Sequence, residues 1–232
     1  MCKGSGVYDD ARLSFVPRKS TGDFEPGLDE PLGLDAPRDG VLYVPDTAEP
    51  GAPVLVFLHG ATGSGRAHLR AVLAAADRYG VILVAPDSRG PSTWDLIERG
   101  GFGPDVAFLD AVLDAVVDRV DADIEGRLAI GGVSDGASYA LSLGLANGDV
   151  LSTVIAFSPG FLAVPGASSA KARVFVSHGT ADPILPIDAC SRRLVPPLRE
   201  AGYDVQFTEF DGGHTVPPAI ADEALRWWLD AS

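Results

Sequence analysis

Cysteine is nearly missing from this 232-residue chain, which carries only Cys2 and Cys190. Two such distant cysteines supply neither a disulfide framework nor a metal cluster, and they point to a reducing compartment, the cytoplasm. Cys2 follows Met1 with no hydrophobic segment ahead of it, so a lipid-attachment site has little support. Basic residues are scarce as well, 18 against 32 acidic ones, giving a net charge of −14. A surface of that sign repels phosphate backbones and anionic lipids, which argues against nucleic-acid binding and leaves small neutral substrates open. No stretch approaches the roughly 18 uninterrupted apolar residues of a membrane span, so no membrane insertion is expected. Residues 1–30 hold no apolar centre of a signal peptide, although a removed leader would leave the same sequence. Gly/Ser linkers, repeats and low-complexity tracts are lacking too, so a single domain is expected.

What is present suits a globular chain: 46% of residues are hydrophobic and 22% charged, enough for one large core. Residues 1–40 read as an N-terminal extension in which Arg12–Val16 is a candidate edge strand, followed by a Gly/Pro/Asp-rich loop and a partner strand, Val41–Val44. Residues 41–232 read as the main domain. The continuous apolar runs Pro53–Leu58, Val81–Val84, Leu128–Val133, Leu151–Phe157 and Arg173–Ser177 suit strands covered on both faces, and Val205–Phe210 the last strand. Helical spacing marks Thr62–Tyr79, Pro104–Val120, Asp135–Ala146, Ile187–Ala201 and Pro217–Leu229. About eight strands alternating with helices imply an α/β fold, a mostly parallel sheet with helices on both faces. Asp110, Asp114 and Asp118 recur at spacing four on one helix, a pattern more typical of a solvated face than of a metal site.

The stretch Gly132-Val133-Ser134-Asp135-Gly136 joins a buried strand directly to a helix, as a nucleophile elbow does. A serine hydroxyl is a poor nucleophile unless a base removes its proton and a carboxylate orients that base. The chain has four histidines. His68 is expected on the exposed side of a helix, and His59 and His178, each ending a strand before a glycine, are expected to brace turns. His214 follows the last strand, at the sheet edge where Ser134 emerges, and is the candidate base. Asp182 follows the preceding strand in His178-Gly179-Thr180-Ala181-Asp182-Pro183 and is the favoured acid, with Asp211 as rival. Backbone N–H groups of Ala61 and Asp135 are the candidate oxyanion donors. Gly60-x-x-x-x-Gly65 approximates a phosphate-binding loop, yet Arg66 and Ala67 stand where its Lys and Ser/Thr would be.

Four blocks together, His59-Gly60, Gly132–Gly136, His178–Asp182 and Gly213-His214, resemble the signature blocks of the α/β-hydrolase fold. The chain is most similar to its small phospholipase/carboxylesterase branch, with polyhydroxybutyrate-depolymerase-like and feruloyl-esterase-like proteins as relatives. The resemblance runs from about Val41 to the C-terminus. It implies a Ser134–His214–Asp182 triad, an oxyanion hole at Ala61 and Asp135, cleavage of a small-molecule ester or thioester, and no metal or cofactor. Where that branch typically has Gln and two glycines after the serine, this chain has Asp135 and then Gly136-Ala137. Ser134 also separates it from dienelactone hydrolases, which use Cys there. With no insertion long enough for a separate lid domain, an open cleft is expected, lined by the loop residues Trp94, Phe102, Phe161, Ile184 and Leu185. A catalytically silent α/β-hydrolase acting as a binding module is the reading from another class, and acyl-protein or other thioester cleavage would use the same triad.

Overall fold

The computed structural model describes residues 11–34, 38–163 and 168–230. In chain order they form β1 (Asp29–Pro31), β2 (Gly40–Tyr43), β3 (Val54–Leu58), α1 (Gly65–Leu69), α2 (Leu73–Tyr79), β4 (Ile82–Pro86), α3 (Asp95–Arg99), α4 (Pro104–Arg119), β5 (Leu128–Val133), α5 (Asp135–Ala146), β6 (Thr153–Phe157), β7 (Arg173–Gly179), α6 (Ser191–Glu200), β8 (Val205–Phe210) and α7 (Pro218–Leu229). The eight strands make one sheet in the order β1-β2-β4-β3-β5-β6-β7-β8. Pairing is antiparallel at β1/β2 and β2/β4 and parallel from β4 to β8. This is the α/β-hydrolase architecture.

Strand alternation divides the core into two layers. Val54, Val56 and Leu58 of β3 turn toward α4 and α5, whereas Leu55 and Phe57 turn toward α2 and α7. The central strands are covered on both faces, which accounts for runs of five buried residues in β3 and six in β5. Register then sets the positions at the carboxyl edge. Leu58 pairs with Gly132, so the loop after β3 and the turn after β5 leave the sheet side by side. Gly179 pairs with Phe210, which does the same for the loops after β7 and β8.

Several local expectations change. Arg12–Val16 alternates buried and exposed residues as a strand would, but it joins no ladder. Its backbone is satisfied by side chains instead: Asp110 accepts from the N–H groups of Ser14 and Phe15, Asn147 Oδ1 accepts from Leu13, and Asn147 Nδ2 donates to the Ala11 carbonyl. The outer neighbour of β2 is Asp29–Pro31, not Arg12–Val16. Asp110 and Asp114 are accordingly anchors for this segment, Asp114 through Arg18 at 2.7 Å. The helix expected over Thr62–Tyr79 is broken into α1 and α2, Val72 being outside the helical region at φ −120°, and Gly80 closes α2 in the left-handed conformation. Asp95–Arg99, between the expected strand Val81–Val84 and the expected helix Pro104–Val120, is a further helix. Cys2 lies outside the described residues. No helix among those described is long and apolar enough to cross a membrane.

Candidate active site

Ser134 sits between β5 and α5 with φ 58° and ψ −119°, a strained conformation for a residue with a Cβ. The turn is held by Ser134 N–H on the Phe157 carbonyl at 2.9 Å and by Ser138 N–H on the Ser134 carbonyl at 3.0 Å. It is tight enough to exclude side chains on either side. A Cβ on Gly136 would lie 2.2 Å from the Leu58 carbonyl oxygen, and one on Gly132 2.5 Å from the Gly136 carbonyl carbon. The two flanking glycines are therefore steric requirements of the elbow. The N–H groups of Ala61 and Asp135, on the two segments that leave the sheet together, make no hydrogen bond among the described residues. The Asp135 carboxylate instead turns sideways and accepts from the Thr93 hydroxyl at 2.8 Å, tying the loop after β4 to the start of α5.

On the far side, His214 Nδ1 donates to Asp182 Oδ2 at 2.6 Å. Asp182 is buried, and its other oxygen accepts from the N–H groups of Ile184 and Leu185, both at 2.9 Å. Burial alone would raise its pKa. The Leu185 N–H, the His214 imidazole and the Ile184 N–H outweigh that and hold the carboxyl below its usual range. Asp211 is exposed, and the imidazole faces Asp182 instead. The other end-of-strand histidines brace turns. His59 Nδ1 donates to the Gly60 carbonyl at 2.7 Å while Nε2 accepts from Ser88 N–H, and His178 donates through Nε2 to the Leu185 carbonyl while Nδ1 accepts from Ser191. Burial lowers the pKa of both rings. His178 Nε2 also lies 3.3 Å from Asp182 Oδ2, but a neutral ring makes this a dipolar contact rather than an ion pair.

Ser134 and His214 open into one cavity of about 430 Å³. Its walls are small and aliphatic, formed by Ala61, Ala67, Ala71, Val133 and Val216, with Ile184, 66% exposed, at the rim. Of the five apolar residues expected to line a cleft, Ile184 alone does. Trp94 and Phe102 are corrected to core positions: both are buried around Tyr139, with ring centroids 5.2 and 5.4 Å away, and Trp94 Nε1 donates to the His59 carbonyl at 2.8 Å. The segment folds inward because burying two such rings is worth more than presenting them to solvent. Leu185 packs on Gly160, and Phe161 stands exposed beside α5. Sequence reasoning missed His68, a third polar side chain of the cavity. The available signal was its place one turn beyond the glycine loop, on the helix that the loop feeds.

In the loop that approximates a phosphate cradle, Thr62 N–H donates to the Ser92 carbonyl at 2.6 Å and Gly63 N–H to the Gly60 carbonyl at 3.2 Å. Gly65 N–H is taken by Asp87 Oδ1 at 2.7 Å, and Ala67 N–H donates to the Ser64 hydroxyl. A carboxylate at that position opposes a bound anion. A second cavity, also about 430 Å³, lies at the opposite edge of the sheet, but its Arg127 and Arg173 are paired with Asp123 and Asp204.

A strained serine between strand and helix, in a parallel sheet that delivers an aspartate-bound histidine to the same cavity, is the arrangement of α/β-hydrolases. Residues 108–225 match the family described as Phospholipase/Carboxylesterase. The chain belongs to that family of carboxylic ester hydrolases. Among solved structures it is similar to esterase PE8, at 24% identity over 83% of this chain and 98% of that one with a TM-score of 0.69. The carboxylesterase of Bacillus cereus is similar at 22% identity, 85% and 96% coverage and a TM-score of 0.65. An S-formylglutathione hydrolase from Agrobacterium tumefaciens shares 20% identity over 85% and 91% of the two chains, with a TM-score of 0.63. At these identities the likeness is one of fold. No curated protein matches the sequence.

Proposed function

We propose that this protein is a serine esterase in which Ser134 is the nucleophile, His214 the general base and Asp182 the carboxylate that orients it. The observation that carries the reading is the 2.6 Å bond from His214 Nδ1 to Asp182 Oδ2, made by a histidine that shares its cavity with Ser134. With Nδ1–H committed to Asp182, a neutral His214 offers the lone pair of Nε2 to the Ser134 proton. Oγ attacks the acyl carbon, and the carbonyl oxygen becomes an oxyanion received by the free N–H groups of Ala61 and Asp135. Collapse breaks the bond to the alcohol oxygen, which leaves with the proton from His214. Water then enters, His214 takes its proton, and the acyl-enzyme is hydrolysed to the carboxylic acid and free Ser134.

The catalytic unit in this reading is residues 41–232, with residues 1–40 an extension whose described part adds the edge strand β1 at Asp29–Pro31 and straps α4 and α5 through residues 11–18. The small aliphatic walls favour short acyl groups, and the open rim at Ile184 admits bulky leaving groups. Thioesters fit the same machinery. A fluorophosphonate probe and p-nitrophenyl acetate test the assignment: labelling at Ser134, and turnover reduced by roughly 10⁴-fold or more in Ser134→Ala, are expected. A folded Ser134→Ala protein with wild-type turnover, or a wild-type protein that neither labels nor turns over any ester or thioester, would sink it. The second of these outcomes would favour the binding-module reading.

A further inference from the structure

The polar lining of the cavity holds one imidazole beyond His214. His68 is half-buried on α1, and its Nε2 stands against Gly60, the residue before the proposed oxyanion donor Ala61. A Cβ placed on Gly60 would be 3.3 Å from Ser134 Cβ and 3.5 Å from His68 Nε2, so the nucleophile and this ring flank the same point of backbone. The loop is shaped around the ring. A Cβ on Gly63 would collide with it, 2.3 Å from Cε1 and 2.5 Å from Nδ1. Arg38 holds Gly63 in place by donating to its carbonyl at 2.9 Å.

The orientation of the ring decides its chemistry. His68 Nδ1 lies 3.4 Å from the Ser64 carbonyl, which can only accept, so a neutral His68 carries its proton on Nδ1. Nε2 is left as a lone-pair acceptor, and among the described residues it has no hydrogen-bond partner. The remaining cavity walls, Ala61, Ala67, Ala71, Val133 and Val216, have no side-chain polar atom to offer. An acceptor at the edge of an aliphatic cavity discriminates sharply, because a substrate that brings a donor satisfies it and one that brings a methyl group displaces its water without replacement.

We infer that His68 is a specificity-determining residue that selects esters bearing a neutral hydroxyl or amide N–H donor within a few bonds of the scissile carbonyl. The distance limit follows from Gly60, which places Nε2 beside the segment that receives the carbonyl. The chain's net charge of −14 disfavours anionic esters, so the donor is not expected on a substrate that carries a carboxylate or phosphate. This inference rests on the esterase reading of the same cavity.

The test uses pairs of esters that differ by one hydroxyl: ethyl butyrate against ethyl 3-hydroxybutyrate for a donor on the acyl side, and propyl butyrate against 2-hydroxyethyl butyrate for a donor on the alcohol side. In at least one pair the wild-type enzyme should favour the hydroxylated member about tenfold in kcat/KM. His68→Leu should bring that ratio to about one, and His68→Gln, which restores an acceptor, should recover part of it. Gly63→Ala, which pushes the ring aside without altering it, should lower the ratio as well. Ratios near one in both pairs for the wild type overturn the inference, as does a ratio that survives in a folded His68→Leu protein. Failure of the esterase reading looks different: no ester in either pair is turned over.

Discussion

A Cβ on Gly179 would stand 2.3 Å from the carbonyl oxygen of Gly213 and 2.5 Å from that of Gly212, so the segment leading to Asp182 and the loop carrying His214 meet backbone against backbone. Ala181 N–H donates to the Gly212 carbonyl at 2.9 Å and seals the contact. The 2.6 Å bond between Asp182 and His214 depends on this approach, because neither side chain is long enough to bridge a wider gap.

Gly179→Ala is therefore expected to push the His214 loop outward while leaving the three side chains of the proposed triad in the chain. A displacement approaching 1 Å costs on the order of 100-fold in kcat/KM, and the overpacking itself ~1–3 kcal/mol of stability. Turnover of p-nitrophenyl acetate and a urea melt measure the two effects separately. Near-wild-type turnover in this variant would show that the loops do not need the contact.

Strain at the elbow gives a prediction of opposite sign for stability. Ser134 holds φ 58° and ψ −119°, where a Cβ is disfavoured and glycine is not. Ser134→Gly removes the hydroxyl and with it the proposed activity, but it should raise stability by about 1 kcal/mol after allowing for the extra freedom of glycine in the unfolded chain. For a chain of this size the gain corresponds to a rise in Tm of ~2–4 °C. A Tm at or below that of Ser134→Ala would mean the turn is not strained.

These two positions also show which features were legible. Gly132 and Gly136 announce the elbow because the fold leaves no room there for a Cβ, and a steric demand of that kind leaves a mark in the residue types themselves. The parallel strands were legible for a related reason, since burial on both faces requires continuous apolar runs such as Val54–Leu58. What stayed hidden depended on partners distant in the chain. The alternation in Arg12–Val16 was read as a strand, yet Asp110 and Asn147, about 95 and 135 positions further on, take the hydrogen bonds that a ladder would have taken. Trp94 and Phe102 lie in a segment that looks like a surface loop, and partners distant in the chain, Tyr139 for both rings and His59 for Trp94, draw them inward. His68 has the spacing of an exposed helical residue; the missing Cβ of Gly63 leaves room for its ring to lie against the loop, beside the cavity.

The corrected place of Trp94 is open to measurement. Its side chain is fully buried and its Nε1 donates to the His59 carbonyl at 2.8 Å. Trp94→Phe loses that hydrogen bond and part of the ring volume, at a cost of ~1–3 kcal/mol in unfolding free energy. A series of p-nitrophenyl esters from acetyl to octanoyl should keep its wild-type order of preference. A selective gain for longer chains would return Trp94 to the cavity wall.

The most distinctive pH dependence belongs to a pair of carboxylates away from the site. Asp95 and Asp105 are both buried and each accepts the other's backbone N–H, at 2.9 Å for Asp95 Oδ2 and 2.6 Å for Asp105 Oδ2. Burial pushes Asp105 up to about 6, only partly offset by the Arg89 N–H, and burial raises Asp95 too. A folded-state pKa above the unfolded value means that the native protein holds its proton over a range where the unfolded chain has released it. The stabilisation from Asp105 is thus fully present below about pH 4 and lost as pH rises toward 6, by up to ~3 kcal/mol at 1.36 kcal/mol per pKa unit. His59 and His178 act in the opposite direction, because burial lowers their pKa and stability gains as pH rises toward that of a free imidazole. The wild-type profile mixes these signs, so the informative quantity is a difference. Asp105→Asn cannot titrate, and urea melts of both proteins at pH 4.5, 5.5 and 6.5 should show the wild type losing ground to the variant at each step. A constant difference across that range would mean Asp105 keeps an ordinary carboxylate pKa in the native state.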